Sequence, residues 1–453
     1  MPAGKTSMGR RIRQVFGWAL FVNALTAGVA FCGNDDARAI AVDSSENIYV
    51  TGSSEGSGTR RDFFTQKLNA NGAVLWTARF DGTGSGEDIP NAIVVDQFGN
   101  VFVTGSSLGL GSGLDYLTVK YNSSGVFQWA VRFNGTGNRE DIPYAMDVDP
   151  SGNIYVTGSS QSTNADRDSV TIKYNANGGQ VWTFTWIGSG GEDIARALKI
   201  DMSGNVYVAG SSTGNGSGLD YILLKFNTNG ALQWWRSYNG PANGDDVPAA
   251  LAFDPAGKVY VTGSSLGVSS GNDFATLKYS PNGVLKWVQR YDGPAGSSDK
   301  SVGIAVDATG VVVTGTSLGV NTASDYATIK YTKKGARLWV ARFDGPVSSD
   351  DTASALALDG SSNVYVTGTS VGNGTGKDYA TLKYNLNGVL QWIARFNGPV
   401  NSSDTAAALG VHQMSHNVYV TGSSLGNGTA NDFATVKHDG NGNIIWVNRF
   451  DQP

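Results

Sequence analysis

The chain has few of the residues that carry most site chemistry. One cysteine, Cys32, in 453 residues excludes an internal disulfide framework and any cysteine-based metal site. Histidine occurs only at His412, His416 and His438, near the C-terminal end, so a His-based centre could be built from that region alone. Charged residues make up 16% of the chain, too few for a solvated or disordered polyelectrolyte. Only one long apolar run is present, Val15–Ala30, and no stretch of the remainder sustains a 3.6-residue apolar period. Helical architectures are thereby excluded. No phosphate-binding loop and no Cys–His pair appears, and the many Gly-x-Gly pieces sit between strand-like runs rather than between a strand and a helix.

The apolar run belongs to a separate N-terminal object. Lys5, Arg10, Arg11 and Arg13 form a basic start, with no acid before Asp35. Val15–Ala30 follows, and Gly28-Val29-Ala30 offers small residues for cleavage. Residues 1–30 read as a secretory signal peptide; a run this short, broken by Asn23, falls below a membrane span. Arg10-Arg11 hints at twin-arginine export. Cys32 invites a lipoprotein reading, against which Phe31 stands where a small residue is expected. A misplaced start codon ahead of a truncated repeat array is the alternative. Export predicts a secreted, periplasmic or cell-surface protein. Removing residues 1–30 takes away four basic residues and no acid, moving the net charge from −5 to −9. That balance disfavours nucleic acid and anionic membrane as partners.

What is present is repetition. Tryptophan returns at Trp76, Trp129, Trp182, Trp234, Trp287, Trp339, Trp392 and Trp446, every 52–54 residues. So even a spacing means one supersecondary unit copied eight times. In the unit around Trp129, four runs read as strands: Ala92–Asp96, Asn100–Gly105, Tyr116–Asn122 and Val126–Phe133. Each is β-branched or aromatic and bounded by Gly, Asn, Asp or Ser. Four short antiparallel strands per unit is the pattern of a propeller blade. The first copy begins near Asp36 and the last ends at Asp451. The expectation is therefore an all-β, eight-bladed β-propeller filling residues 31–453 as one domain, its first strands innermost and its ring closed by packing. The repeat Trp residues are expected to bury about 150–250 Å² each between blades. Trp18, Trp186 and Trp235 stand outside the register.

Strand parity separates two faces. Loops after the first and third strands share one face and are short, as at Gln97-Phe98-Gly99. Loops after the second and fourth strands share the other and are long, as at Ser106–Leu114 and Asn134–Asp141. Long loops on a rigid scaffold are where binding usually sits. These loops end in recurrent acids. Asp36, Asp88, Asp141, Asp193, Asp246, Asp299, Asp351 and Asp404 lie between blades. Asp62, Asp115, Asp168, Asp220, Asp273, Asp325, Asp378 and Asp432 lie within them. Asp88, Asp141, Asp193, Asp246, Asp351, Asp115, Asp220 and Asp273 are taken as candidate binding residues of the long-loop face. Every within-blade Asp is followed five residues on by Lys, and six units place an Arg three after the Trp; Thr185 and Ser237 break that run. The structural reading of these charges is turn capping and cross-strand pairing. Eightfold repetition argues against catalysis, which needs one asymmetric set.

Asp81–Asp88 and Asn134–Asp141 alternate oxygen side chains with Gly, as hard-cation loops do, which makes calcium the one cofactor the pattern admits. His412-x-x-x-His416 has a zinc spacing but falls at a blade turn, where drift of the terminal repeat explains it better.

The pieces G-N-V-Y-V-T-G-S-S, D-Y-A-T-L-K-Y-N and N-G-V-L-Q-W-I-A-R-F-N-G resemble the seven-bladed β-propeller repeat (SBBP) family of bacterial exported proteins, over about residues 36–451. The resemblance implies secreted or surface proteins with no shared activity, and seven blades where this chain supplies eight units. N-x-N-G-x-x-x-W (385–392) is also similar to the tryptophan-docking segment of eight-bladed quinoprotein dehydrogenases. That likeness implies Trp packing between blades, with calcium and pyrroloquinoline quinone in a central funnel; this chain offers no unique polar cluster for the quinone. Three functions follow: a non-catalytic scaffold binding a protein or glycan through the long-loop face; an architectural surface protein; and a propeller enzyme, quinone-dependent or polysaccharide-active, using funnel carboxylates.

Overall fold

The computed structural model describes residues 33–56, 60–84, 86–428 and 430–451. The expected signal peptide, residues 1–30, lies outside them. Cys32–Pro453 form one compact unit. It holds eight four-stranded antiparallel sheets, each built from consecutive strands in chain order. Blade one comprises Asp35–Val42, Ile48–Glu55, Arg61–Leu68 and Val74–Phe80. Blade two comprises Asp88–Val95, Val101–Gly109, Gly113–Tyr121 and Phe127–Phe133. The eighth ends at Phe450. First strands of successive blades adjoin one another, and Asp404–Val411 of blade eight adjoins Asp35–Val42. The ring is thus all-β, eight-bladed, in phase with the chain, and closed by packing.

Burial explains the strand order. The second and third strands, such as Ile48–Glu55 and Arg61–Leu68, are buried almost throughout and rich in β-branched and aromatic residues. The fourth is the outer edge and in blade one has no buried residue. Cores lie between blades: Tyr49 and Phe63 of blade one pack with Val101, Val103, Leu117 and Tyr121 of blade two. Each such side chain contributes about 1.5–3 kcal/mol of burial. The Gly of the recurrent Thr-Gly-Ser/Thr-Ser piece is sterically required. A Cβ on Gly52 would sit 2.1 Å from the Asp36 carbonyl, because the first strand bulges towards it between Ala37 and Ala39. Beside it a buried hydroxyl pair, Thr51 with Thr65 at 3.1 Å, locks the second strand to the third; Thr157 with Thr171 at 2.8 Å does the same in blade three.

Two expectations need correction. Ser106–Leu114 is not a long loop: the strands run on to a Gly109–Gly113 pair, leaving a three-residue turn. Backbone pairing needs no side chain, so the Gly/Ser composition that reads as loop is compatible with strand. The repeat tryptophans also sit on the outermost strand and are half-buried, not in the deep core. Each lies on a positive-φ glycine of the next blade's outer turn. Trp76 covers Gly125, Trp339 covers Gly388, and Trp446 of blade eight covers Gly72 of blade one.

Candidate functional site

The short-turn face is built from Asx turns. Asp43 Oδ1 accepts from the N–H groups of Ser45 and Asn47, and Asn122 Oδ1 from those of Ser124 and Val126. Into the second kind of turn reach two donors from the preceding blade. Trp129 Nε1–H and Lys120 Nζ both donate to the Ala176 carbonyl, at 3.1 and 2.9 Å. The recurrent Lys therefore does not pair with the Asp five residues before it. An odd offset on a strand puts the two on opposite sheet faces.

The Arg does pair with that Asp. Arg395 donates to Asp378 Oδ2 at 2.9 Å and to the Ser370 carbonyl and Oγ, each at 2.8 Å. Arg132 with Asp115 and Arg290 with Asp273 repeat the clamp. The between-blade acids lie at first-strand starts. Asp88, Asp141, Asp246 and Asp351 are fully buried, and their Oδ2 atoms accept linker N–H groups from Gly82, Gly135, Gly240 and Gly345. Six of the eight candidate acids are thus buried fastenings at blade junctions. In blade one the equivalent residue is Asp35, not Asp36: Asp35 stands opposite Ser54 as Asp88 stands opposite Ser107.

The other two candidates, Asp193 and Asp220, lie where the clamp fails. Thr185 and Ser237 replace Arg there. In blade four the Arg is displaced by one residue to Arg236. A one-residue shift turns it to the other sheet face, where its Nε donates to the Gly283 carbonyl of the next blade. Burial, helped by the charges of Asp168, Glu192 and Asp166 and opposed by a hydrogen bond from Ser212, pushes Asp193 up to about 6. Burial also raises Asp220, against a hydrogen bond from Ser217 Oγ at 2.9 Å.

The space an Arg fills elsewhere is here a cleft of about 490 Å³, lined by Trp186, Trp235, Asn215, Asn239, Ser189 and Asp220 among others. The two Trp rings come from adjacent blades, their centroids 5.1 Å apart and their planes tilted by 58°. Trp235 is 46% exposed, and Trp186 Nε1 lies 3.4 Å from Ser212 Oγ. The sequence marks all four deviations, Thr185, Trp186, Trp235 and Ser237, but not that blade packing brings them together.

A second cavity, about 560 Å³, opens between first strands and is lined by Tyr144, Arg196, Asp245 and Lys300 among others. Basic groups dominate its charge. The histidines diverge: His412 Nε2 meets the Ser44 carbonyl of blade one, His416 Nδ1 meets Asp359 of blade seven, and His438 is buried beside Trp392. The repeated Gly-Ser-Ser-Leu-Gly pieces, such as 105–109, have the spacing of a hydrolase nucleophile elbow. They lie within strands, and Ser107 Oγ is held by Arg132 at 2.6 Å. Among the described residues, three junctions gather carboxylates: Asp62, Asp81 and Asp88; Asp273, Asp292 and Asp299; Asp325, Asp344 and Asp351.

A family model described as a beta-propeller repeat, SBBP, matches residues 33–58, 75–111 and 128–164. A second, described as a beta-propeller domain of unknown function (DUF5122), matches residues 203–232. Three segments of the chain are thus similar to SBBP beta-propeller repeats. The first matched segment covers the first two strands of blade one, and the second and third run from the outer strand of one blade into the second strand of the next, across the junction clamp. The chain is also similar, at 22% identity over 80% of its length, to an uncharacterized WD repeat-containing protein of Acanthamoeba polyphaga mimivirus, of which it spans 31%. Among solved structures, one of a eukaryotic initiation factor aligns with a TM-score of 0.45 at 10% identity, covering 89% of this chain and 96% of that one.

Proposed function

We propose that this beta-propeller repeat protein is an exported, non-catalytic binding scaffold, and that its partner is a glycan taken into the Trp186–Trp235 cleft. One observation carries the reading. Of the clamped junctions that alternate Asp, Arg and Ser around the ring, the one that loses its Arg on both sides gains two tryptophans instead. Exposed indole faces beside Asn, Ser and Asp side chains suit a sugar, which offers apolar C–H faces and a rim of hydroxyls. The cleft belongs to the long-loop face. Export rests on the basic start and apolar run of residues 1–30. Non-catalytic binding is supported by the burial of the repeated acids in structural fastenings.

The test is titration of the purified protein with a panel of β-linked gluco- and chito-oligosaccharides, followed by tryptophan fluorescence. Trp235→Ala is expected to weaken binding at least tenfold while moving the melting temperature by no more than a few degrees, since the ring is half in solvent. Binding that ignores Trp235→Ala, or a native protein that binds none of the panel but self-associates, would overturn the glycan reading in favour of an architectural role.

A further inference from the structure

The carboxylate groups at the blade five–six and six–seven junctions are more charged than their clamps require. Asp273, Asp292 and Asp299 present carboxylate oxygens within 4.8 Å of one another, as do Asp325, Asp344 and Asp351. Asp273 is 4% exposed and Asp299 1%. Their Oδ2 atoms are committed, Asp273 to Arg290 at 2.7 Å and Asp299 to the Gly293 N–H. Their Oδ1 atoms are buried and accept no hydrogen bond. Asp325 and Asp351 repeat this: Arg342 and the Gly345 N–H take the Oδ2 atoms, and both Oδ1 atoms are left. A buried carboxylate oxygen without a donor is unfavourable unless a cation meets it.

We propose that these two junctions each bind one calcium ion, with Asp292 and Asp344 as the exposed third ligands, and that the blade one–two junction, through Asp81 and Asp88, forms a third such site. The mutual approach of three carboxylates marks these junctions. Three carboxylates facing one guanidinium leave a net −2, which one divalent cation neutralises. At the junctions of Asp115 with Asp141 and of Asp378 with Asp404 the same buried pair and Arg are present, but Asn134 and Asn397 stand at the third position. There two carboxylates facing one guanidinium leave a smaller residual charge. An all-oxygen set with one solvent-facing member leaves room for water and favours calcium over magnesium, which demands a tighter octahedron.

The proposal is tested on the purified protein, stripped with chelator and titrated with calcium chloride by calorimetry. Two to three sites are expected, with a melting temperature raised by several degrees at saturating calcium and less by equimolar magnesium. The double variant Asp292→Asn and Asp344→Asn copies the side chain found at 397 and lies at exposed positions. It is expected to fold, to lose two sites and most of the calcium-dependent shift. Asn397→Asp is expected to gain a site. Absence of calcium binding at millimolar concentration overturns the proposal. So does a double variant whose stability gain is equal in calcium and in chelator, since that would make the buried pairs proton-sharing carboxylates.

Discussion

A glycine under each tryptophan explains why the repeat keeps both. Gly388 has φ +80°, and a Cβ there would lie 2.5 Å from the Trp339 ring; the left-handed turn and the indole contact exclude any side chain. Trp392 lies on Gly442 in the same way. Because the indole is half in solvent, Trp392→Ala is expected to cost about 2 kcal/mol, less than the about 3–5 kcal/mol of a fully buried aromatic. A urea unfolding curve with unchanged slope measures it. Asp193 allows a pH prediction at the same scale. Its carboxyl is raised to about 6 in the folded state, chiefly by burial. The folded protein therefore binds the extra proton between the ordinary Asp range near 4 and about 6. Across that window stability falls as pH rises, and it stays lower above it. Asp193→Asn should flatten the fall and be more stable than the parent at pH 7.5, as melting temperatures at pH 4, 6 and 7.5 would show.

At the scale of the strand, the close approach at the Thr-Gly-Ser/Thr piece is the tightest constraint. A Cβ at Gly368 would meet the Thr352 carbonyl at 2.1 Å and the Tyr326 hydroxyl at 2.7 Å. Neither can retreat, since one is backbone and the other is fully buried, its hydroxyl held by the Ala380 carbonyl. Gly368→Ala is expected to cost about 3 kcal/mol or more, against at most about 1 kcal/mol for an exposed outer-strand change such as Leu390→Ala; denaturant midpoints compare the two. The strands and their order were legible because eight copies repeat the same pattern of β-branched runs and Asx turns. Their ends were not. Gly109 and Gly113 pair as strand although their composition reads as loop, and Asp88 begins a strand although it reads as the end of a loop. The Arg–Asp clamp was legible as a recurrent spacing. The cleft was not, because Trp186 and Trp235 are far apart in the chain and have no repeat partners to reveal their shared junction.

At the scale of the whole ring, the joint between blades eight and one is special because no linker crosses it. The same indole docking is present there, Trp446 Nε1 donating to the Ala70 carbonyl at 3.0 Å. To this is added a polar clasp built on Glu46. Glu46 accepts from Ser415 Oγ at 3.0 Å and from Asn417 and Tyr419, and pairs with Lys437 at 3.3 Å. Burial works against its charge, but the hydrogen bonds from Asn417, Tyr419 and Ser415 and the charge of Lys437 outweigh it and hold the carboxyl at about 2. The folded value lies below the unfolded one. The clasp's contribution is therefore complete above about 4.5 and is lost as pH falls towards about 2. Acid should open the ring at this joint first, because every other joint keeps its covalent linker when its ion pairs weaken. Limited proteolysis with an acid-active protease at pH 3 is expected to cut first within blades one and eight, and Glu46→Gln should show the same pattern at pH 5. First cuts spread evenly over all eight blades would mean that the indole and aromatic contacts, with Phe64 stacked on Phe450 at 3.9 Å, close the ring without the clasp.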